Sequence, residues 1–397
     1  MKKERLNSLI ALVSITIVAM AMGLLVNGCS KDCPTCPKEA ERKPYKGWLY
    51  YTDDYSDQTN LYKVDLETDS IVDSMKHEDV ALYANGAAVS SDGRYLAVWY
   101  SDVMITRGST RLYNAQTLGL IGELPQRLGC FFDAEDHWLL GLDLGFDINS
   151  AAYRISRLSI SSLTTISTDT VSNFWPMIID PSRNLLYGNA VQNSSAPAVY
   201  PRGFYSYNYV THEIESIPLL WSPTDTIKDV YSLSLSSSGE ILYFTVDEPA
   251  GVTVWGAAAG AYNLNSRTLL WYYPLVTPIG GIAVSPDGSE VWVTDPGPTG
   301  YEWNSGTIFI LDAATGRYLQ GISMYGYLPD ANPYYCLPGR EIVFAPTGDR
   351  AYVQARQTFT NPYGTVVVVD TKKRAIVKLL RPDMHSEPGS LCICPKT

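Results

Sequence analysis

Histidine is scarce in this chain: four in 397 residues, at His77, His137, His212 and His385. They fall at unrelated places, so nothing gathers imidazoles for metal binding or general-base chemistry. The sequence also lacks a Gly-x-Ser-x-Gly elbow, a glycine-rich phosphate loop and a His-Glu-x-x-His pair, the compact signatures of serine hydrolases, nucleotide binders and zinc proteases. Basic residues are outnumbered 30 to 41 by acidic ones, for a net charge of -11. That balance excludes the basic footprint expected of a nucleic-acid binder. Long apolar runs are confined to Leu9 to Val26, and beyond that run no amphipathic helical pattern interrupts the chain. What remains is short β-branched and aromatic segments bounded by Gly, Ser, Asp and Pro, the pattern of an all-β protein.

The apolar run has an address written around it. Met1-Lys2-Lys3-Glu4-Arg5 is a basic start, and Val26-Asn27-Gly28-Cys29 resembles a lipobox, the small-residue site cut before a lipidated cysteine. Residues 1–28 are therefore expected to be a lipoprotein signal peptide and Cys29 the lipidated residue. The alternative is a retained membrane helix, because the run is close to the minimum length that spans a bilayer. Residues 29–46, polar and carrying Pro34, Pro37 and Pro44, are expected to form a tether. The predicted localisation is exported, on the bacterial cell envelope, with the lipid as the only membrane contact.

From residue 47 onward the chain repeats. The clearest copy runs Ile282-Ala283-Val284-Ser285-Pro286-Asp287-Gly288, then Val291-Trp292-Val293-Thr294-Asp295, then Gly306-Thr307-Ile308-Phe309-Ile310-Leu311-Asp312. Anchored on Gly288, the tight turn between the first two strands, the other copies fall at Gly93, Asp136, Arg183, Gly239 and Gly348. The third strand ends at Asp65, Asn114, Ser159, Asn208, Asn263, Asp312 and Asp370, side chains that can fold back to start a turn. A small four-stranded sheet cannot bury both faces alone, and repetition at this period implies a radial array. The first copy enters at Trp48 to Asp53, without an inner strand. Gly389-Ser390-Leu391-Cys392-Ile393-Cys394-Pro395 matches Gly280 to Pro286 position for position, so the C-terminus is expected to supply it. The expectation is a seven-bladed β-propeller over residues 47–397, closed by the C-terminal strand and monomeric.

The Ser-Pro-Asp-Gly turn, the Val-Trp-Val-Thr-Asp strand and the Leu-Asp-Ala-Ala-Thr-Gly-Arg turn of the sixth copy resemble the YVTN family of β-propeller repeats, relatives of WD40-like propellers common in bacterial surface proteins. The seventh copy keeps the pattern in Phe344-Ala345-Pro346-Thr347-Gly348-Asp349. The third and fourth keep the strand rhythm and lose the turn glycine. The resemblance implies the fold and leaves the activity open.

The seven cysteines invite a metal reading that the repeat weakens. Cys392 and Cys394 stand where the sixth copy has Ala283 and Ser285, so they are read as small buried residues instead of thiolate ligands. Cys33 and Cys36 are a candidate disulfide outside the cytoplasm. Pro37 stands where a haem-attachment motif requires histidine. Asp53, Asp54 and Asp57 lack the spacing of a calcium loop. No metal and no cofactor are expected.

The propeller geometry that the resemblance implies puts the second-to-third and blade-to-blade loops on one face, and the long connections all fall there, which is a usual way to build a recognition surface on a rigid scaffold. They carry Tyr100, Trp255, Tyr301, Trp303 and Tyr363 among acids such as Asp247, Asp295 and Glu302. Aromatic planes beside carboxylates suit a carbohydrate, peptide or protein ligand, and packing of the aromatics against one another is the plain alternative. The Gly280 position in each copy predicts the mouth of the central channel: Asn85, Leu128, Trp175, Tyr231, Arg340 and Gly389. Arg340 with its neighbour Glu341 is equally readable as a structural ion pair. The function expected is ligand or protein binding without catalysis; the alternative is a lactonase-like hydrolase or lyase acting on an extracellular sugar or lactone.

Overall fold

A computed structural model describes residues 45–53, 60–76, 83–101, 108–125, 127–133, 138–143, 152–172, 174–190, 203–219, 230–247, 257–275, 280–295, 306–324, 337–356, 364–380 and 388–396. All regular structure in them is strand, arranged as seven four-stranded antiparallel sheets. Six sheets follow chain order from inner to outer strand. The first has the order Pro388–Pro395, Gly47–Asp53, Asn60–Asp65, Ser70–Lys76, so the C-terminal strand is the inner strand of the first blade.

The register of closure repeats that of the sixth blade. Leu391 stands opposite Tyr51, Cys392 opposite Tyr50 and Ile393 opposite Leu49, as Ile282, Ala283 and Val284 stand opposite Val293, Trp292 and Val291. Each seam between neighbouring blades holds its own core of buried side chains. Between the seventh and first blades, Tyr352, Val366 and Val368 meet Leu49, Tyr51 and Leu391, which makes the ring continuous across the chain termini. Closing the ring removes the free sheet edges that an open array would present.

The turns of one face are uniform, four or five residues between the first and second strands and between the third and fourth. In the third-to-fourth turn the Asx oxygen accepts backbone N–H groups two and three residues on: Asn114 from Gln116 and Thr117 at 3.0 and 2.9 Å, Asn263 from Asn265 and Ser266 at 2.9 and 2.8 Å. Four residues after the Asx or Ser position the chain takes a positive φ in every blade, at Asp69, Leu118, Leu163, His212, Arg267, Gly316 and Arg374. In the first-to-second turn of the fourth blade, Asn184 carries the positive φ, one residue beyond Arg183, the expected equivalent of Gly288. Asparagine tolerates the left-handed conformation better than arginine, and the turn there is one residue shorter.

The closing strand is pinned by a residue that the repeat pattern does not single out. Gln116 donates from Nε2 to Gly93 O at 3.0 Å and Pro395 O at 3.2 Å, and accepts from Trp48 Nε1 at 2.8 Å. Lys63 Nζ reaches its carbonyl. One side chain thus ties the second blade to two strands of the first. Gln116→Ala leaves the Trp48 donor and two carbonyls without this partner, and a loss of about 1–2 kcal/mol is expected, measured by denaturant unfolding of the two proteins side by side.

Candidate functional site at the channel mouth

The inner strands of a propeller line its central channel, and here they lose regular pairing at the same level. Pairing with the second strand shifts between Ala84 and Gly86, Leu128 and Cys130, Pro176 and Ile178, Val230 and Ser232, and Pro338 and Ile342. In the first blade the shift lies opposite Tyr51 and Asp53, across Gly389 and Ser390. In the sixth the strand starts only at Ile282, after Gly280 and Gly281. A β-bulge leaves a residue unpaired and re-aims its side chain, and bulges gather beside functional sites. Sequence supplies a cause in six of the seven blades, where a glycine or proline stands at the break: Gly86, Gly129, Pro176, Gly280, Gly339 and Gly389. Gly280 has no room for a side chain, since a Cβ there would lie 1.7 Å from Thr294 O.

The predicted mouth residues sit at or near these irregularities. Asn85 and Tyr231 are themselves the residues skipped by the pairing, Arg340 lies within the skipped segment of the seventh blade, Leu128 and Gly389 flank or occupy two others, and Trp175 is still in register with Asn189, two residues before the skipped Met177. Each of these positions lies near the start of its inner strand. Tyr231 is partly buried. The side chains of Asn85, Leu128, Trp175 and Arg340 are outside the described atoms. Trp255, Tyr301, Trp303 and Tyr363, together with Cys29, Cys33 and Cys36, lie outside the described residues.

Tyr100 requires a correction. It belongs to the strand Tyr95–Ser101, is 2% exposed and packs in the core between the first and second blades, its hydroxyl 3.4 Å from that of Tyr113. The second strand runs through Ser101, beyond the loop start expected at Tyr100, and Tyr100 fills a seam instead of a rim. Asp295, 3% exposed at the end of its strand, is likewise inside the blade.

Among the described residues, Glu341 is an acid of the mouth with a shifted titration. Its Oε2 accepts from Leu391 N at 2.5 Å and its own N–H donates to Gln354 Oε1 at 3.1 Å. Burial pushes its carboxyl up to about 7, against the lowering effect of the Leu391 amide and the Ser390 side chain. The carboxyl group ties the seventh blade to the closing strand; the ion-pair reading with Arg340 rests on a side chain outside the described atoms. Ser232, at the equivalent position of the fifth blade, makes the same contact, accepting from Ile282 N of the next inner strand at 3.2 Å. Beside Glu341, burial and then the carboxylate charge raise the Cys392 thiol well above its ordinary value, so it is a protonated thiol at neutral pH and a poor nucleophile. Burial likewise holds Cys394 at about 11, and Cys394 Sγ donates to Gly93 O at 3.3 Å.

A second tier of polar side chains crosses the seams just above. Thr245 Oγ1 donates to Gly280 O at 2.9 Å, Asn189 Nδ2 to Val230 O at 2.6 Å and Thr52 Oγ1 to Ala84 O at 3.3 Å. All three occupy the Thr294 position of their blades and fasten the entry of the next inner strand. Their signal in the sequence is a Thr or Asn recurring after the buried core of the second strand. The mouth is therefore a braced ring, able to hold bulged side chains in fixed places.

No protein-family model matches the chain, and no curated protein matches it. Similarity to solved structures is extensive and of fold. The periplasmic gluconolactonase of Pseudomonas aeruginosa is 15% identical, covering 88% of this chain and 99% of its own, with a TM-score of 0.60. The hydrazine synthase of Kuenenia stuttgartiensis is 15% identical, over 77% of this chain and 88% of its own, with a TM-score of 0.55. Dihydro-heme d1 dehydrogenase is 13% identical, over 91% and 77%, with a TM-score of 0.54. At these identities the likeness establishes a β-propeller; the proteins named do different things, and the fold alone does not choose among them.

Proposed function

We propose that this protein is a lipid-anchored propeller of the bacterial cell envelope that binds a carbohydrate, peptide or protein ligand over the channel mouth, on the long-loop face. The observation that supports the reading is the interrupted pairing near the start of the inner strands that carry Asn85, Trp175, Tyr231 and Arg340. The lipobox-like Val26 to Cys29 and the YVTN-like repeats support the address, and acylation at Cys29 is read by mass spectrometry of the mature N-terminus.

The test is a glycan and peptide screen on residues 47–397, followed by Tyr231→Ala and Arg340→Ala against any ligand found. Truncating an aromatic or arginine anchor at the centre of a surface costs about 2 kcal/mol or more, so binding is expected to weaken at least about thirtyfold. A ligand whose affinity ignores both substitutions removes the channel mouth as the site. The second reading, a lactonase-like hydrolase, is favoured by one feature, the Glu341 carboxyl held near 7, which suits proton transfer at neutral pH. Turnover of a sugar lactone that is abolished in Glu341→Gln would select it over simple binding.

A further inference from the structure

The seam between the fourth and fifth blades is missing volume on the short-turn face. The sixth and seventh blades define what fills the equivalent space: Trp292 and Ile310, both fully buried, with Arg374 from the next blade bonded to Glu290 at 2.5 Å and to Gln320 at 3.3 Å. The strand registers place Leu185, Tyr187, Ser206 and Glu215 at the positions of Glu290, Trp292, Ile310 and Gln320. Arg267, the positive-φ residue of its turn, stands where Arg374 stands. Tyrosine for tryptophan and serine for isoleucine leave a cavity of about 190 Å³. Leucine for glutamate removes the inner carboxylate, so Arg267 turns outward to Glu215 at 2.7 Å, a pair that is more than half exposed on both sides.

The cavity that results is lined by two arginines and by the Glu215 carboxylate that pairs with one of them, so a ligand carboxylate would share Arg267 with Glu215. Arg267 and Arg183 flank it, and Arg183 reaches Asn265 Oδ1 at 3.3 Å and the Asp180 carboxylate at 3.8 Å from its other edge. Tyr262, 1% exposed, lines the cavity, and the Arg267 guanidinium is the group that reaches its hydroxyl. The Arg267 guanidinium lies close enough to lower its titration, and burial outweighs that effect and keeps the phenol protonated. An arginine only donates, so the phenol proton itself has no acceptor among the partners described for it. The space holds roughly six waters at about 30 Å³ each, which is also the size of one monosaccharide. Apolar walls from Leu185 and Leu264 suit the carbon face of a sugar ring.

We infer that this inter-blade cavity is a binding site for a small sugar carboxylate, with the carboxylate between Arg183 and Arg267 and a ring oxygen or hydroxyl accepting from Tyr262. Guanidinium groups match carboxylate geometry with paired donors. The site is at the opposite face from the channel mouth, so its fate is independent of the function proposed above.

The probe is D-glucuronate, titrated against the protein by saturation-transfer NMR, with glucose, acetate and inorganic phosphate as comparison ligands. Glucuronate is expected to bind with a Kd of about 1 mM, the level ordinary for a ligand of this size. Acetate and glucose, each carrying half of the recognition, should bind at least about tenfold more weakly. Ser206→Ile restores the side chain that fills the sixth blade and should abolish binding while leaving thermal stability unchanged or raised; Ser206→Val serves if isoleucine overpacks the seam. Arg267→Ala should weaken binding at least about tenfold. Absence of glucuronate binding, or binding that a folded Ser206 variant leaves intact, overturns the inference. Phosphate or glucose binding as tightly as glucuronate overturns the carboxylate assignment.

Discussion

Removal of residues 388–397 is expected to abolish cooperative unfolding of the propeller, or to lower its Tm by about 10 °C or more. The closing strand contributes six paired positions to the first blade. Leu391 and Cys394 are buried in the two flanking cores, with Ile393 and Cys392 packed against them. Complete burial of one such side chain contributes about 1.5–3 kcal/mol, so the strand as a whole accounts for roughly 5 kcal/mol or more, against the ~5–15 kcal/mol that stabilises a native protein. Deletion also opens Tyr50 and Tyr51 to water and leaves Gly47–Asp53 as an unpaired edge. The contacts are bilateral, through Gln116 on the second blade and Glu341 on the seventh, so the ring loses two seams with one strand. A synthetic peptide of residues 388–397 added in trans should restore part of the transition. A truncated protein that melts within a degree or two of the parent would show that the other six blades close without it.

How far this could be read beforehand depends on which interactions set each feature. The blade count and closure were legible because each rests on a local pattern repeated many times: the Asx residue at the end of the third strand, the glycine of the first turn, and the alternation that aligns Leu391 and Ile393 with Ile282 and Val284. Tyr100 was misplaced because a strand end is decided by pairing with Gly108 and Ser109, which its own neighbours in sequence do not reveal. The bulges of the inner strands were not legible, since a bulge is a mismatch between two strands. Gln116 carries no pattern at all: its role depends on Gly93, Pro395 and Trp48 meeting at one seam. The cavity at Ser206 becomes visible only by contrast, when a position that is isoleucine in one blade and serine in another is placed beside its neighbour across the seam.

Between about pH 4.5 and 7 the protein should lose stability as pH rises, and Glu341→Gln should flatten that slope. Glu341 ordinarily titrates at 4.5 and is held at about 7 in the folded chain. Below 4.5 both states carry the proton and the group is neutral in the balance. Above 4.5 the unfolded chain releases it while the folded chain retains it, so unfolding is progressively favoured until the folded group also ionises near 7, after which the penalty is constant. The separation of the two values corresponds to a cost on the order of 3 kcal/mol at neutral pH, or roughly 5 °C in Tm. Glutamine keeps an oxygen for Leu391 N and carries no charge at any pH. The measurement is the difference in Tm between the two proteins at pH 5 and at pH 7.5; the other carboxylates are common to both and cancel. Parallel curves would mean that Glu341 ionises normally. A difference that opens with pH would show that the ring is closed by a carboxyl bearing its proton near neutrality.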